Sequence, residues 1–277
     1  MSLLPPPGEP NAGFPFHLYP GYPTYLPPAP PKPRSPAFKI TIITLIALVI
    51  LAPIGLIAGV VYGIPAYRNW YQNELIRRVH AQQPLFADKL SYDDGKWPVE
   101  ENNKYHENYF FAYDGYHLKG QDPNRLMFAY GSPYYGDVAV EVTAEQRGTA
   151  ENDGVGILAR VTESQDDRIA FVVMPSGDWL IARYHYTKGN APEDWTNLDY
   201  GYSSAIHTGD GAQNQLLVIL RGPAYYCFVN GRYLGSFRDY GPPLSAGHYG
   251  VYMNTSVVES IFTDFAVYPA PSTDVSA

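Results

Sequence analysis

Two dipeptides, Asp114-Gly115 and Asn230-Gly231, interrupt stretches in which apolar residues recur at every second position. That combination commits the C-terminal two-thirds of the chain to antiparallel sheet, because an apolar period of two fits a half-buried strand and these pairs favour type I′ hairpin turns. YFFAYDGYHLKG and YYCFVNGRYLGSF therefore read as hairpins. Between them GDVAVEVTAE, GVGILARV, RIAFVVMPSGDWLIARYHY and QLLVILRG repeat the alternation, and GHYGVYMN and SIFTDFAVYP follow. About a dozen strands result, too many for a seven-stranded immunoglobulin sandwich and suited to a two-sheet antiparallel jelly roll. The expected class is all-β. A composition of 15% aromatic residues, with 25 Tyr, against 17% charged ones agrees with strands that carry stacking surfaces.

Upstream the pattern is different. No charged residue occurs from Ile40 to Ile64, and these 25 residues in a helix extend roughly 37 Å, enough to cross a ~30 Å hydrocarbon layer. This segment begins too late and runs too long for a cleaved signal peptide, so the expectation is a retained transmembrane helix over 40–64. Gly55, Gly59 and Gly63 recur every four residues and offer one face for close pairing of two such helices, hence a homo-oligomer. Residues 1–39 hold PPPGEP and YPGYPTYLPPAPPKP, a composition for a disordered, Pro/Tyr-rich tail. Residues 65–89 read as a juxtamembrane helical stalk with Trp70, Leu75 and Val79 near one side, 90–270 as the sandwich, and 271–277 as a tail. Bases flank the span evenly, so charge gives no orientation; the size and acidity of the sandwich place it outside the cell, with the N-terminus cytoplasmic.

The formal net charge of −8 argues against nucleic acid as a partner. A single cysteine, Cys227, excludes an intrachain disulfide and a four-thiolate zinc site, and its apolar strand marks it as a buried thiol.

An opening DGKW, then DGYHLKG, a strand of alternating valines, GVGILARV, a DW hairpin, AIHTGDGAQNQLLVIL, YYCFVNGRYLGSF, GHYGVYM and FTDFAVYP succeed one another in this order. The succession resembles the concanavalin A-like lectin/glucanase jelly roll, specifically its laminin-G-like or 3-keto-disaccharide hydrolase-like branch, which bacteria attach to single-span membrane proteins. The resemblance implies a curved sandwich whose concave face or edge loops bind sugars, and it raises calcium, for which Asp153, Asp166 and Asp167 offer oxygen ligands; no D-x-D-x-D-G loop occurs, and the expectation is no cofactor.

Catalytic chemistry is less apparent. Retaining glucanases of this fold use E-x-D-x-x-E, which puts two carboxylates on one strand face about 5 Å apart, and no such run occurs here. Glu100-Glu101 are adjacent and point to opposite faces; Asp166-Asp167 sit in a polar turn. The keto-disaccharide pattern has its nearest counterparts in Glu141 and Arg160. Alternation turns Val138, Val140 and Val142 inward with Ile157 and Ala159, and so turns Glu141 and Arg160 outward, where the two meet on the concave face as an ion pair, a sugar contact or a catalytic couple.

Sugar rings offer an apolar face and directional hydroxyls, so aromatic platforms with planar polar groups are the residues to seek. Trp179, Arg183, Tyr184, His185, Tyr186 and Trp195 provide them in one short segment, although alternation buries half. The leading reading is a membrane-anchored extracellular module that binds carbohydrate or another surface ligand. The alternatives are a 3-keto-glycoside hydrolase or lyase built on Glu141 and Arg160, and a structural surface protein that assembles through its sheets.

Overall fold

The computed structural model describes residues 49, 51–52, 60–61, 64–121, 126–148, 153–186, 194–254 and 259–272. The chain divides into two compact units, Met1–Gly59 and Val60–Ala277. In the first, Val49, Leu51 and Ala52 are described, and they are helical and exposed. The tail, most of the apolar segment, and Gly55, Gly59 and Gly63 lie outside the described residues. Among the described residues no helix is long and apolar enough to cross a membrane.

The second unit is a two-sheet antiparallel sandwich with one helix, α1 (Ile64–His80). Its strands are β1 (Phe86–Asp88), β2 (Asn108–Ala112), β3 (Gly115–Lys119), β4 (Leu126–Tyr135), β5 (Val138–Arg147), β6 (Val155–Val161) and β7 (Asp167–Val173). They continue with β8 (Asp178–His185), β9 (Trp195–Tyr202), β10 (Gln213–Arg221), β11 (Ala224–Val229), β12 (Arg232–Arg238), β13 (Gly247–Asn254) and β14 (Glu259–Pro269). The larger sheet has the order β12-β11-β10-β5-β14-β3-β2, with β1 also on β14; the smaller has the order β4-β13-β6-β7-β8-β9. Val138, Val140 and Val142 of β5 do face the core, where they join Ile157 and Ala159 of β6. Cys227 is buried there too, and burial pushes its thiol well up.

The two expected hairpins form by different means. Asn230 and Gly231 both have positive φ, 49° and 73°, between the paired Val229 and Arg232, as a type I′ turn requires. At the other hairpin Ala112 pairs with Gly115, so the turn is Tyr113-Asp114 and the glycine opens β3. Gly115 is needed there for the sheet: its φ is 147°, and a Cβ would lie 2.7 Å from the carbonyl oxygen of Phe262.

Helix α1 packs on the outer face of the larger sheet. Leu75 and Val79 are fully buried against Ala139, Leu217, Ile219 and Phe228. The expected stalk is therefore docked, because Leu75 and Val79 lie four residues apart on one helical face and Ala139, Leu217, Ile219 and Phe228 of β5, β10 and β11 give that face an apolar seat.

Candidate functional site

The outer face of the smaller sheet carries the densest group of aromatic side chains that do not serve the central core: Phe128 and Tyr130 from β4, Tyr252 from β13, Tyr184 from β8 and Trp195 from β9. Trp195 and Tyr252 stand four strand positions apart, about 19 Å if the sheet were flat. Their ring centroids are 6.1 Å apart. The sheet therefore curls with this face on its inside, and side chains from β9 and β13 meet over the strands between them. Gly156 and Gly250 help, because a Cβ on either would strike the backbone of the neighbouring strand, at 1.9 Å from Phe171 O and 2.0 Å from Ala129 O.

On this concave face, close to the β6–β7 turn, lies Arg168 of β7. Its guanidinium carbon is 3.8 Å from the ring centroid of Tyr184, 4.8 Å from Phe128 and 5.7 Å from Trp195. Burial lowers its pKa, opposed by Tyr184 and Tyr252. Clefts open on either side. The first, of about 500 Å³, is walled by Tyr105, Tyr109, Phe128 and Tyr130 and contains Glu100, Glu107, Asn103 and Gln165. The Asn103 side-chain amide donates to both carboxylates at 3.1 Å, and Gln165 donates to the Tyr130 hydroxyl at 2.7 Å. Burial, and next the Glu107 carboxylate, push the Tyr109 phenol above its ordinary pKa. The second cleft, of about 210 Å³, is walled by Trp195 and Tyr252 over a floor of Ala170, Val172 and Ala182, with Asn197 and Asn254 as its amides.

Of the residues singled out by sequence, Tyr184 and Trp195 belong to this face. Tyr186 is exposed just past the end of β8. Trp179 turns inward and packs on Phe237, their centroids 5.4 Å apart. Arg183 also turns inward: Nη1 donates to Asp239 at 2.8 Å and to the Pro242 carbonyl at 2.6 Å, and Nη2 donates to Asp167 at 3.1 Å. His185 Nδ1 is 2.9 Å from the same Asp167 oxygen. Strand alternation divides the segment between core and concave face.

The expected meeting of Glu141 and Arg160 is corrected. Strand β5 belongs to the larger sheet and β6 to the smaller, so outward residues on the two point to opposite sides of the molecule. Glu141 faces α1, where His80 Nε2 lies 3.0 and 3.1 Å from its two carboxylate oxygens. Arg160 does not face outward at all. It has φ of 52° beside the irregularity between His248 and Gly250 of β13, and this bulge turns its side chain between the layers. There it donates to Asp137 at 2.9 Å and to the Gly222 carbonyl at 2.6 Å, and is 1% exposed.

The oxygen ligands considered for calcium do not converge either. Asp153 precedes β6 and Asp166 and Asp167 sit at the far end of the β6–β7 hairpin, about 20 Å away at ~3.3 Å per residue. Among the described residues no group of three or more His, Cys, Asp or Glu is placed to hold a metal ion. Sequence alternation alone does not single out Arg168, Phe128, Tyr130 or Tyr252; only strand order and curl bring them together.

No family model matches this sequence, and no curated protein matches it. Solved structures do. The carbohydrate-binding module CBM66 from Bacillus subtilis superposes with a TM-score of 0.50 at 11% identity, covering 64% of this chain and 99% of its own. The fold is the concanavalin A-like jelly roll. Other jelly rolls of this kind align less closely: a Bacillus subtilis protein of unknown function with a galectin-like fold at TM-score 0.46, 13% identity and coverage of 69% and 98%, and Bacillus licheniformis β-glucanase at 0.44, 11%, and 66% and 97%. In this jelly roll the second cleft lies on the curled smaller sheet, and the first lies at its β4 edge, closed by the segment that leads into β2.

Proposed function

We propose that the chain is a membrane-anchored extracellular module that binds carbohydrate on the concave face of its smaller sheet. The observation that carries this reading is the pair of aromatic-walled clefts whose polar groups are carboxylates and side-chain amides, the combination that holds a sugar ring by its apolar face and its hydroxyls. Its fold, shared with a carbohydrate-binding module, supports the same reading. Anchoring is supported by the uncharged run Ile40–Ile64 and by the exposure of its described members Val49, Leu51, Val60, Val61 and Ile64. Tyr67 and Trp70 of α1, also exposed, would then lie at the membrane–water interface, with the N-terminal tail in the cytoplasm.

The test is a glycan array probed with the full-length chain in detergent micelles. Binding to a defined set of oligosaccharides is expected, weakened about tenfold or more by Trp195→Ala through loss of the stacking surface. An array on which no glycan is retained overturns the reading.

A further inference from the structure

Among the described residues three arginines of the sandwich are buried, and two of them are met by carboxylates: Arg160 by Asp137, and Arg183 by Asp167 and Asp239. Arg168 is the third, 5% exposed, and among the described residues no acidic side chain lies within ion-pair distance of it. Its Nη1 donates to the Gln165 carbonyl at 3.1 Å, while its buried Nε meets no acceptor. A cation taken out of water without a counter-charge is strongly unfavourable, and three aromatic rings recover only part of that loss. An arginine placed in this way costs stability, and its placement is that of a group held ready for an anion.

We infer that the second cleft seats an acidic sugar, a uronate or a sulfated residue, with its anion directed at Arg168. The inference rests on the carbohydrate reading above and adds the class of sugar. Arg168 lies between the two clefts, against Trp195 of the second and Phe128 of the first. The first cleft contains Glu100 and Glu107, which repel an anion. The second contains no charged residue among its walls; Arg168, itself a wall of neither cleft, lies behind its Trp195 and gives that side a positive field, with the buried Asp194 next to Trp195 in sequence. An acidic unit is thereby directed to the Trp195 side, and a neutral neighbour to the Tyr130 side.

Calorimetry on the full-length chain in detergent, at low and at physiological salt, tests this with three probes: tetragalacturonate, the same tetramer fully methyl-esterified, and a sulfated galactan tetrasaccharide. At least one anionic probe is expected to bind about tenfold or more tighter than the ester, with the advantage shrinking in salt. Which of the two does so separates carboxylate from sulfate. Arg168→Gln is expected to abolish the advantage and Arg168→Lys to retain part of it. Failure of both anionic probes to bind more tightly than the ester, or discrimination that survives Arg168→Gln, overturns the inference while leaving carbohydrate binding intact; retention of no probe here and no glycan on the array overturns both. Thermal melting without sugar gives a separate readout. Arg168→Met is expected to melt no lower than the parent chain, whereas a fall of several degrees would make Arg168 a structural strut and also overturn the inference.

Discussion

At the scale of single residues, the concave face depends on side chains that are missing as much as on those present. Gly156 is one such position: its φ is unexceptional, but the space a Cβ needs is occupied by the backbone of Phe171, which cannot move without breaking the β6–β7 ladder. Gly156→Ala is expected to destabilise the fold by about 3 kcal/mol or more, read as a lower urea midpoint with an unchanged slope. A loss below about 1 kcal/mol would mean the curl relaxes easily. The same scale explains where sequence reading stops. Alternation places Val138, Val140, Val142, Ile157 and Ala159 in the core, and they are there. It fails one residue later, at Arg160, because a bulge adds a residue without any mark in the sequence: an arginine with positive φ looks like any other arginine. For Arg183, alternation points inward, yet nothing local shows that Asp239, 56 residues away, meets it.

At the scale of elements, α1 lies on the larger sheet through Leu75 and Val79, and its last residue, His80, faces a carboxylate on the strand beneath. Burial raises the pKa of Glu141, partly opposed by His80, with Asp264 adding to the rise and Tyr268 lying close by. A carboxyl whose folded pKa exceeds its unfolded value stabilises the fold fully below the ordinary carboxylate range and loses that contribution as pH rises through the folded value. Glu141→Gln, neutral at every pH, is thus expected to raise the melting temperature relative to the parent chain at pH 8 and to lose that advantage by about pH 4, near the ordinary carboxylate pKa. An advantage of equal size at both pH values would show that burial of the charge is not its source. The opposite sign holds at the β3–β14 pairing. There burial opposes ionisation of Asp114 and Glu259, but hydrogen bonds with His117, and with Arg147 or Lys119, outweigh it and hold both carboxyls low. Their contribution is present at neutral pH and lost as the pH falls through those lowered values. Strands and the Asn230-Gly231 turn are legible in the sequence because their causes are local. The aromatic cage is not, because its members come from β4, β7, β8 and β9 and share no local pattern.

At the scale of the whole molecule, the proposed anchor predicts how the chain fractionates. Membranes carrying the full-length chain, washed in alkaline carbonate, are expected to retain it in the pellet and to release it only with detergent. Protease added outside intact cells is expected to digest the sandwich and spare the tail; recovery in the carbonate supernatant would remove the anchor from the reading. The helix that follows the apolar run lies on one broad side of the sandwich, and the clefts open on the other. On the proposed function, a tug on a captured polymer would travel through the thickness of the domain and work to peel one layer from the other. Arg160 and Arg183, which grip the opposite layer through Gly222 and Asp239, stand where rivets against that load would be placed.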